Sequence, residues 1–227
     1  MDSTAWDNRY AAAADLVWTA QPNRFVVQET GDLAPGRALD LAAGEGRNAV
    51  WLASRGWRVT AVDFSSVAVD RGRDLARRRD VSVDWQIADV TRYTATADSY
   101  DLVLIVYLHL MAADLAVVLD TAQTALRPGG VLLVVGHDLA NLSRGVGGPQ
   151  DPAVLMTPEA VVAALPRLQA QRAETARRPV PVDGRMADAL DTVVVAQRPA
   201  EYSMPAAGVR SGSFDTSISG RRRGRSG

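Results

Sequence analysis

Short β-branched runs alternate along the chain with amphipathic segments, the pattern of a parallel sheet joined by crossover helices. Arg37–Leu41 is predicted as the first strand, and a glycine-containing turn leads into a helix over about Arg47–Arg55, stopped by Gly56. A second strand, Arg58–Val62, ends at Asp63, after which Ser65 or Ser66 caps a helix running to about Arg79. Ser82–Ile87 is the third strand, ending at Asp89, and Tyr100–Val106 is apolar enough to be a central strand buried on both faces. The helix Asp114–Leu126 follows, closed by Arg127-Pro128-Gly129-Gly130, and Val131–Val135 is the fifth strand. Beyond it the alternation stops. A loop over 136–156 leads to a helix opened by Thr157-Pro158-Glu159, with threonine as cap and proline in the first turn. Arg172–Val180 and Asp191–Gln197 then meet through Asp183-Gly184 as an antiparallel hairpin. Ahead of the first strand, residues 4–30 are predicted to be helical and carry Trp6, Tyr10 and Trp18.

Composition narrows the class. A chain of 227 residues, 47% hydrophobic, builds one well-buried domain with too little left for a second large one. No apolar run reaches the roughly 18–20 residues that span a bilayer, and Met1-Asp2-Ser3-Thr4 does not begin a secretory signal. The expectation is a cytoplasmic protein with no membrane partner. The absence of cysteine excludes disulfides and thiolate chemistry, and His109 and His137 alone make no histidine-rich metal site, so no metal is expected. Every basic residue is arginine, which removes Schiff-base chemistry and a phosphate-loop lysine. The net charge of −1 hides an asymmetry, because residues 198–227 carry about +4 and the rest about −5. Residues 199–227, rich in Arg, Ser and Gly and lacking periodicity, are expected to be a disordered tail. That basic tail is the only hint of a nucleic-acid partner, which is otherwise not expected, and the oligomeric state is left open.

The chemistry concentrates after the first strand. In Asp40-Leu41-Ala42-Ala43-Gly44-Glu45-Gly46-Arg47-Asn48-Ala49, Gly44 and Gly46 let backbone pass close to a ligand, and the following helix offers free N–H groups. Asp63, 17 residues after Gly46 at the tip of the next strand, is placed to accept hydrogen bonds from both hydroxyls of a ribose. A nucleoside-containing ligand across the carboxyl ends of the sheet follows. The same turn satisfies the dinucleotide fingerprint, so a nicotinamide-dependent oxidoreductase is one alternative, and a non-catalytic nucleoside sensor is another.

With Ala88-Asp89-Val90, Tyr100-Asp101-Leu102-Val103, Leu126-Arg127-Pro128-Gly129-Gly130 and the final hairpin, the sequence resembles the class I S-adenosylmethionine-dependent methyltransferases. Gly46-Arg47-Asn48, Leu52-Ala53, Gly56, Val59-Thr60, Trp6-Asp7, Arg9-Tyr10 and Pro22-Asn23-Arg24-Phe25 look like the tellurite-resistance and thiopurine-type branch of that family. The resemblance implies an α/β Rossmann-like fold. Its sheet is seven-stranded and mostly parallel, in the order 3-2-1-4-5-7-6, with an antiparallel last strand and helices on both faces. It divides the chain into an N-terminal helical lid (1–30), a methyltransferase domain (31–198) and the tail (199–227).

By the same resemblance, S-adenosylmethionine is the cofactor and S-adenosylhomocysteine its product. Backbone at Ala42, Gly44 and Gly46 borders the methionine part, and Asp40 orders the loop near its ammonium group. Asp63 holds the ribose, Phe64 lies beside the adenine, Asp89 and Val90 read the adenine edge, and Val106 ends the fourth strand beside the cofactor. Arg47 either holds the cofactor carboxylate or pairs with Glu45. One departure stands out: the family usually has glycine where this chain has Ala42, and alanine fits there only with a negative φ.

The acceptor is expected beyond the fourth strand, where Tyr107 and His109 emerge, and His137 in the long loop is a second candidate. In tellurite-resistance relatives a histidine-arginine pair, and another arginine seven residues on, lie near the substrate; Arg178 and Arg185 have that spacing, with Arg177 where the histidine would be. They form either an oxyanion pocket or a solvated hairpin face. The activity expected is methyl transfer to a small molecule: a thiol, a phenol or other hydroxyl, or a metalloid oxyanion.

Overall fold

The computed structural model describes residues 3–12, 16–17 and 19–200. Trp18 and most of the basic tail lie outside the described residues. Seven strands form one sheet: β1 Arg37–Leu41, β2 Arg58–Asp63, β3 Asp84–Ile87, β4 Tyr100–Val106, β5 Leu126–His137, β6 Gln169–Val182 and β7 Arg185–Gln197. Their order is β3-β2-β1-β4-β5-β7-β6, with β1 to β5 parallel and β7 antiparallel to both neighbours.

Both faces of the central strands are covered, which is why they read as continuous apolar runs. Along β4, Val103 and Ile105 enter one core with Leu39, Leu41, Leu132 and Val134. The alternate residues Leu102 and Leu104 enter the other with Ala38, Leu133 and Val135. The first core is closed by α5 (Ala112–Ala125) and α7 (Pro158–Ala163), through Val118, Leu119 and Val161. The second is closed by α2 (Arg24–Thr30) and α3 (Arg47–Ser54), through Phe25, Val26, Ala49 and Leu52. Beside α3, α4 (Ser66–Arg78) is N-capped by Ser65, whose Oγ accepts from the Ala68 amide.

Three boundaries differ from the sequence expectation. The N-terminal segment is not one helix over 4–30 but α1 (Ser3–Ala12) and α2, because Pro22 disfavours helix just before it and Asn23 caps a new start by accepting from the Phe25 amide. The Arg127-Pro128-Gly129-Gly130 segment does not simply close the preceding helix. It is absorbed into β5 as a bulge, Leu126 pairing with Tyr100 and Val131 with Leu102. The last hairpin is longer than expected, running from Gln169 to Gln197 around Asp183 (φ 48°) and Gly184 (φ 77°). Most of β6 is exposed, so its ends carry little hydrophobic signal. Within the 136–156 loop lies the short α6 (Asn141–Arg144).

The backbone at Ala42 corrects a further expectation. Alanine is present where a negative φ is required for comfort, yet φ is +62°, in the left-handed region. The turn between β1 and α3 keeps its shape although its side chain opposes it. Left-handed backbone costs a non-glycine residue roughly 1–2 kcal/mol, and glycine returns about 0.5–1 kcal/mol of that in lost chain entropy. Ala42→Gly is therefore expected to raise the urea midpoint slightly at an unchanged m-value; a lowered midpoint would contradict the strain.

Candidate functional site

Two groups of residues meet at the carboxyl ends of the parallel strands. The first surrounds the β1–α3 turn. Gly44 (φ 56°) and Gly46 (φ 78°) are both left-handed, and a Cβ at Gly46 would lie 2.1 Å from the Trp85 ring, so only glycine fits that approach. The Gly44 amide donates to Asp63 Oδ2 at 2.8 Å, and the Ser65 amide donates to Asp63 Oδ1 at 2.9 Å. Asp63 thus joins the turns that follow β1 and β2. Burial pushes its pKa upward against these hydrogen bonds.

Asp40, near the end of β1, is 1% exposed, and its Oδ2 is buried without a hydrogen-bond partner. Burial first, and then the charge of Asp63, push its pKa up to about 7, against Arg47 and the Ala49 amide. Such an orphaned carboxylate oxygen is the counterpart that an ammonium group needs. Arg47 is half-buried; burial lowers its pKa, opposed by Tyr107 and Asp40. Glu45 pairs with Arg71 at 3.1 Å and also accepts the Val17 amide. Phe64 is half-buried beyond Asp63, and Val90 is buried in the first core. Asp89 is exposed and held below the usual carboxylate range chiefly by the Thr91 amide that donates to it. From α1, Tyr10 is buried with its hydroxyl beside Gly44, and Asp7 meets the Ser65 hydroxyl.

The second group lies past β4, β5 and β7. Val106, 9% exposed, ends β4 in the second core. Tyr107 follows with φ +58°, a strained left-handed tyrosine, and its hydroxyl donates to Asp191 Oδ2 at 2.8 Å. Burial and Asp191 push the Tyr107 pKa far above its ordinary value. Its ring lies 5.1 Å from that of His137, and His109 stacks on His137 at 5.3 Å. Asp191, wholly buried, also accepts from Arg178 Nε at 2.6 Å. Arg178 in turn lies over the Tyr107 ring, 5.5 Å from its centre. A Cβ at Gly148 would sit 2.8 Å from His137 Nδ1, so the long loop closes against that ring. Asp138 and Asn141 order the loop: Thr175 and Thr192 donate to Asp138, and Asn141 accepts from the Leu190 amide.

The structure therefore gathers Tyr107, His109, His137 and Arg178 and leaves Arg185 apart. Arg185 is exposed at the hairpin turn, opposite Val182, whereas Arg178 pairs with Ala189. Asp191 lies six positions after Arg185 along β7, about 20 Å of extended chain. Asp191 was not singled out from the sequence. The available signal is a carboxylate opening an apolar run, Asp191-Thr192-Val193-Val194-Val195, that an alternating strand has to bury. Among the described residues no cluster of three or more His, Asp or Glu side chains could hold a metal, and no helix is long and apolar enough to cross a membrane.

Residues 38–130 match the family described as a methyltransferase domain. Over 111 residues the chain is 34% identical to the tRNA 5-carboxymethoxyuridine methyltransferase of Escherichia coli (strain K12), covering 47% of this chain and 42% of that protein. The chain spans less than half the length of the curated relatives it matches. Its fold is similar to that of a protein solved in work on converting a disulfide bond into a thioacetal group during echinomycin biosynthesis (TM-score 0.72, 19% identity, 88% and 93% of the two chains). It is also similar to TehB from Haemophilus influenzae (0.65, 14%, 86% and 66%). The N-methyltransferase NodS from Bradyrhizobium japonicum WM9, solved with S-adenosylhomocysteine, is similar to the same degree (0.64, 18%, 88% and 100%). Residues 38–130 thus match the methyltransferase domain family, and the chain has the Rossmann-like fold of the methyltransferase structures it is similar to.

Proposed function

We propose that this chain transfers a methyl group from S-adenosylmethionine to a small-molecule acceptor: a thiol, a hydroxyl or a metalloid oxyanion. The observation that carries the reading is the orphaned Asp40 oxygen, set near Asp63 beside a turn built on two left-handed glycines. Asp40 meets the ammonium of the methionine part, backbone at Ala42, Gly44 and Gly46 lines it, and Arg47 faces its carboxylate. Asp63 takes the ribose hydroxyls on lone pairs that the two amides leave free. Phe64, Asp89 and Val90 border the adenine. The bound cofactor supplies an electrophilic sulfonium methyl; the protein supplies alignment, exclusion of water and fixed dipoles. Helix α1 acts as a lid through Asp7 and Tyr10. The acceptor occupies the space bordered by Tyr107, His109 and His137. A small molecule is favoured over the RNA named in the Escherichia coli relative because the described loop around His137 closes on the ring.

Asp63→Ala removes the ribose contacts and frees the β1 and β2 turns, and is expected to weaken S-adenosylhomocysteine binding by at least tenfold in calorimetric titration. Unaltered affinity would remove Asp63 from the site. The Asp40 carboxyl gives a second test. With its pKa near 7, it is protonated below and ionised above that value. An ammonium ligand favours the ionised form, so affinity is expected to rise with pH through about 7 and then level off. Its contribution to the ligand-free fold has the opposite sign. The folded carboxyl holds its proton more tightly than the unfolded chain does, so that contribution is full below the ordinary carboxylate range and is lost as pH rises through about 7. Asp40→Asn is expected to flatten both dependences; a variant whose affinity still rises through the same pH would sink the assignment.

A further inference from the structure

Asp191 stands directly opposite His137 in the antiparallel pairing of β5 with β7. Its two oxygens do different work. Oδ2 is filled by the Tyr107 hydroxyl at 2.8 Å and Arg178 Nε at 2.6 Å. Oδ1 has only a long contact with Arg178 Nη2 at 3.4 Å, and lies 3.4 Å from His137 Nδ1 without hydrogen-bond alignment. His137 Nδ1 is itself buried. A proton on it faces a carboxylate oxygen, whereas a lone pair on it would face the same negative charge. Electrostatics therefore places the proton on Nδ1 and leaves the lone pair on Nε2. The neighbouring histidine has the complementary constraint. His109 Nε2 accepts the backbone N–H of His137 at 3.4 Å, which places the His109 proton on Nδ1 and spends the Nε2 lone pair.

We propose that Asp191 is a positioning residue that fixes His137 as the general base of the site, and that the acceptor is a hydroxyl compound whose proton His137 Nε2 removes. This rests on the methyltransferase reading and deepens it. The rest of the cluster agrees. The charged and titratable groups facing His137 are Asp191 on β7, Arg178 on β6, and Tyr107 and His109 after β4. Arg178 is held by Asp191: burial alone would lower its pKa, and the hydrogen bonds to Asp191 raise it. It is thus committed within the protein, and Arg185 lies too far along the hairpin to assemble an oxyanion pocket with it. Tyr107 stays a neutral hydroxyl. Both imidazoles are kept neutral, first by burial, His109 down to about 4. A neutral base is what a hydroxyl acceptor needs, because phenols ionise only near about 10, whereas thiols at about 8.5 supply an anion more readily.

In the transfer the hydroxyl proton passes to His137 Nε2 and the methyl–oxygen bond forms as the methyl–sulfur bond breaks. The positive charge that leaves the sulfonium reappears on the His137 imidazolium beside Asp191. The products are a methyl ether and a neutral thioether, so atoms and charge balance.

With only two histidines, long-range 1H–15N correlation on protein labelled with 15N-histidine reads both rings directly, and His109→Gln assigns them. The ligand-free full chain is expected to show His137 at neutral pH as the Nδ1–H tautomer with a bare Nε2. In Asp191→Asn that preference is expected to collapse toward a mixture. An Nε2–H tautomer in the wild type overturns the proposal without recourse to any variant. Phenol added to the S-adenosylhomocysteine-bound protein is expected to shift His137 Nε2; no shift there overturns the hydroxyl class. Failure of S-adenosylhomocysteine to bind would fall on the methyltransferase reading alone, because the tautomer is read without it.

Discussion

The carboxylate of Asp63 is the point on which the ligand end of the sheet depends. One oxygen accepts the Gly44 amide and the other the Ser65 amide, so the turns after β1 and β2 are fastened to one side chain. Around that tie the backbone is left-handed at Gly44 and Gly46, where glycine permits it, and at Ala42, where the side chain opposes it. The two buried cores below carry the cost, since β1 and β4 are covered on both faces and cannot relax. A rigid sheet thus holds a strained rim, with Asp40 left short of a partner at its centre.

Strain recurs on the neighbouring strand. Ala42 follows β1 and Tyr107 follows β4, both non-glycine and both left-handed, at the same end of adjacent strands. The first borders the turn proposed to hold the cofactor. The second aims a phenol at Asp191, and through Asp191 gathers an arginine and an imidazole from the last hairpin and from β5. The two halves of the proposed site are therefore built by one device: a strand end turned sharply and held there by a buried carboxylate.

The parallel half of the fold is legible in the sequence because its central strands are buried on both faces and α4 starts at a plain serine cap. Asp63, Gly44 and Gly46 are legible for a different reason, their fixed spacing along a strand–turn–helix unit. Asp191 is not, because its partners come from distant parts of the chain: Tyr107 lies 84 residues away and Arg178 reaches it across the hairpin. Register alone brings these groups together. Arg178 and Arg185 show the converse, since a seven-residue spacing that suggests a pair instead runs along an arm and around a turn. The N-terminal segment, helical by its sequence over 4–30, is divided into two helices by the break that Pro22 and Asn23 impose.

The nature of the nucleoside ligand decides what this site does, since the glycine turn alone fits a nicotinamide dinucleotide as well. Calorimetric titration of the full chain with S-adenosylmethionine, S-adenosylhomocysteine and NAD(P)H separates the two. The account predicts binding of the sulfonium cofactor and its thioether product, and no heat from the nicotinamide. Binding of the nicotinamide alone would contradict it.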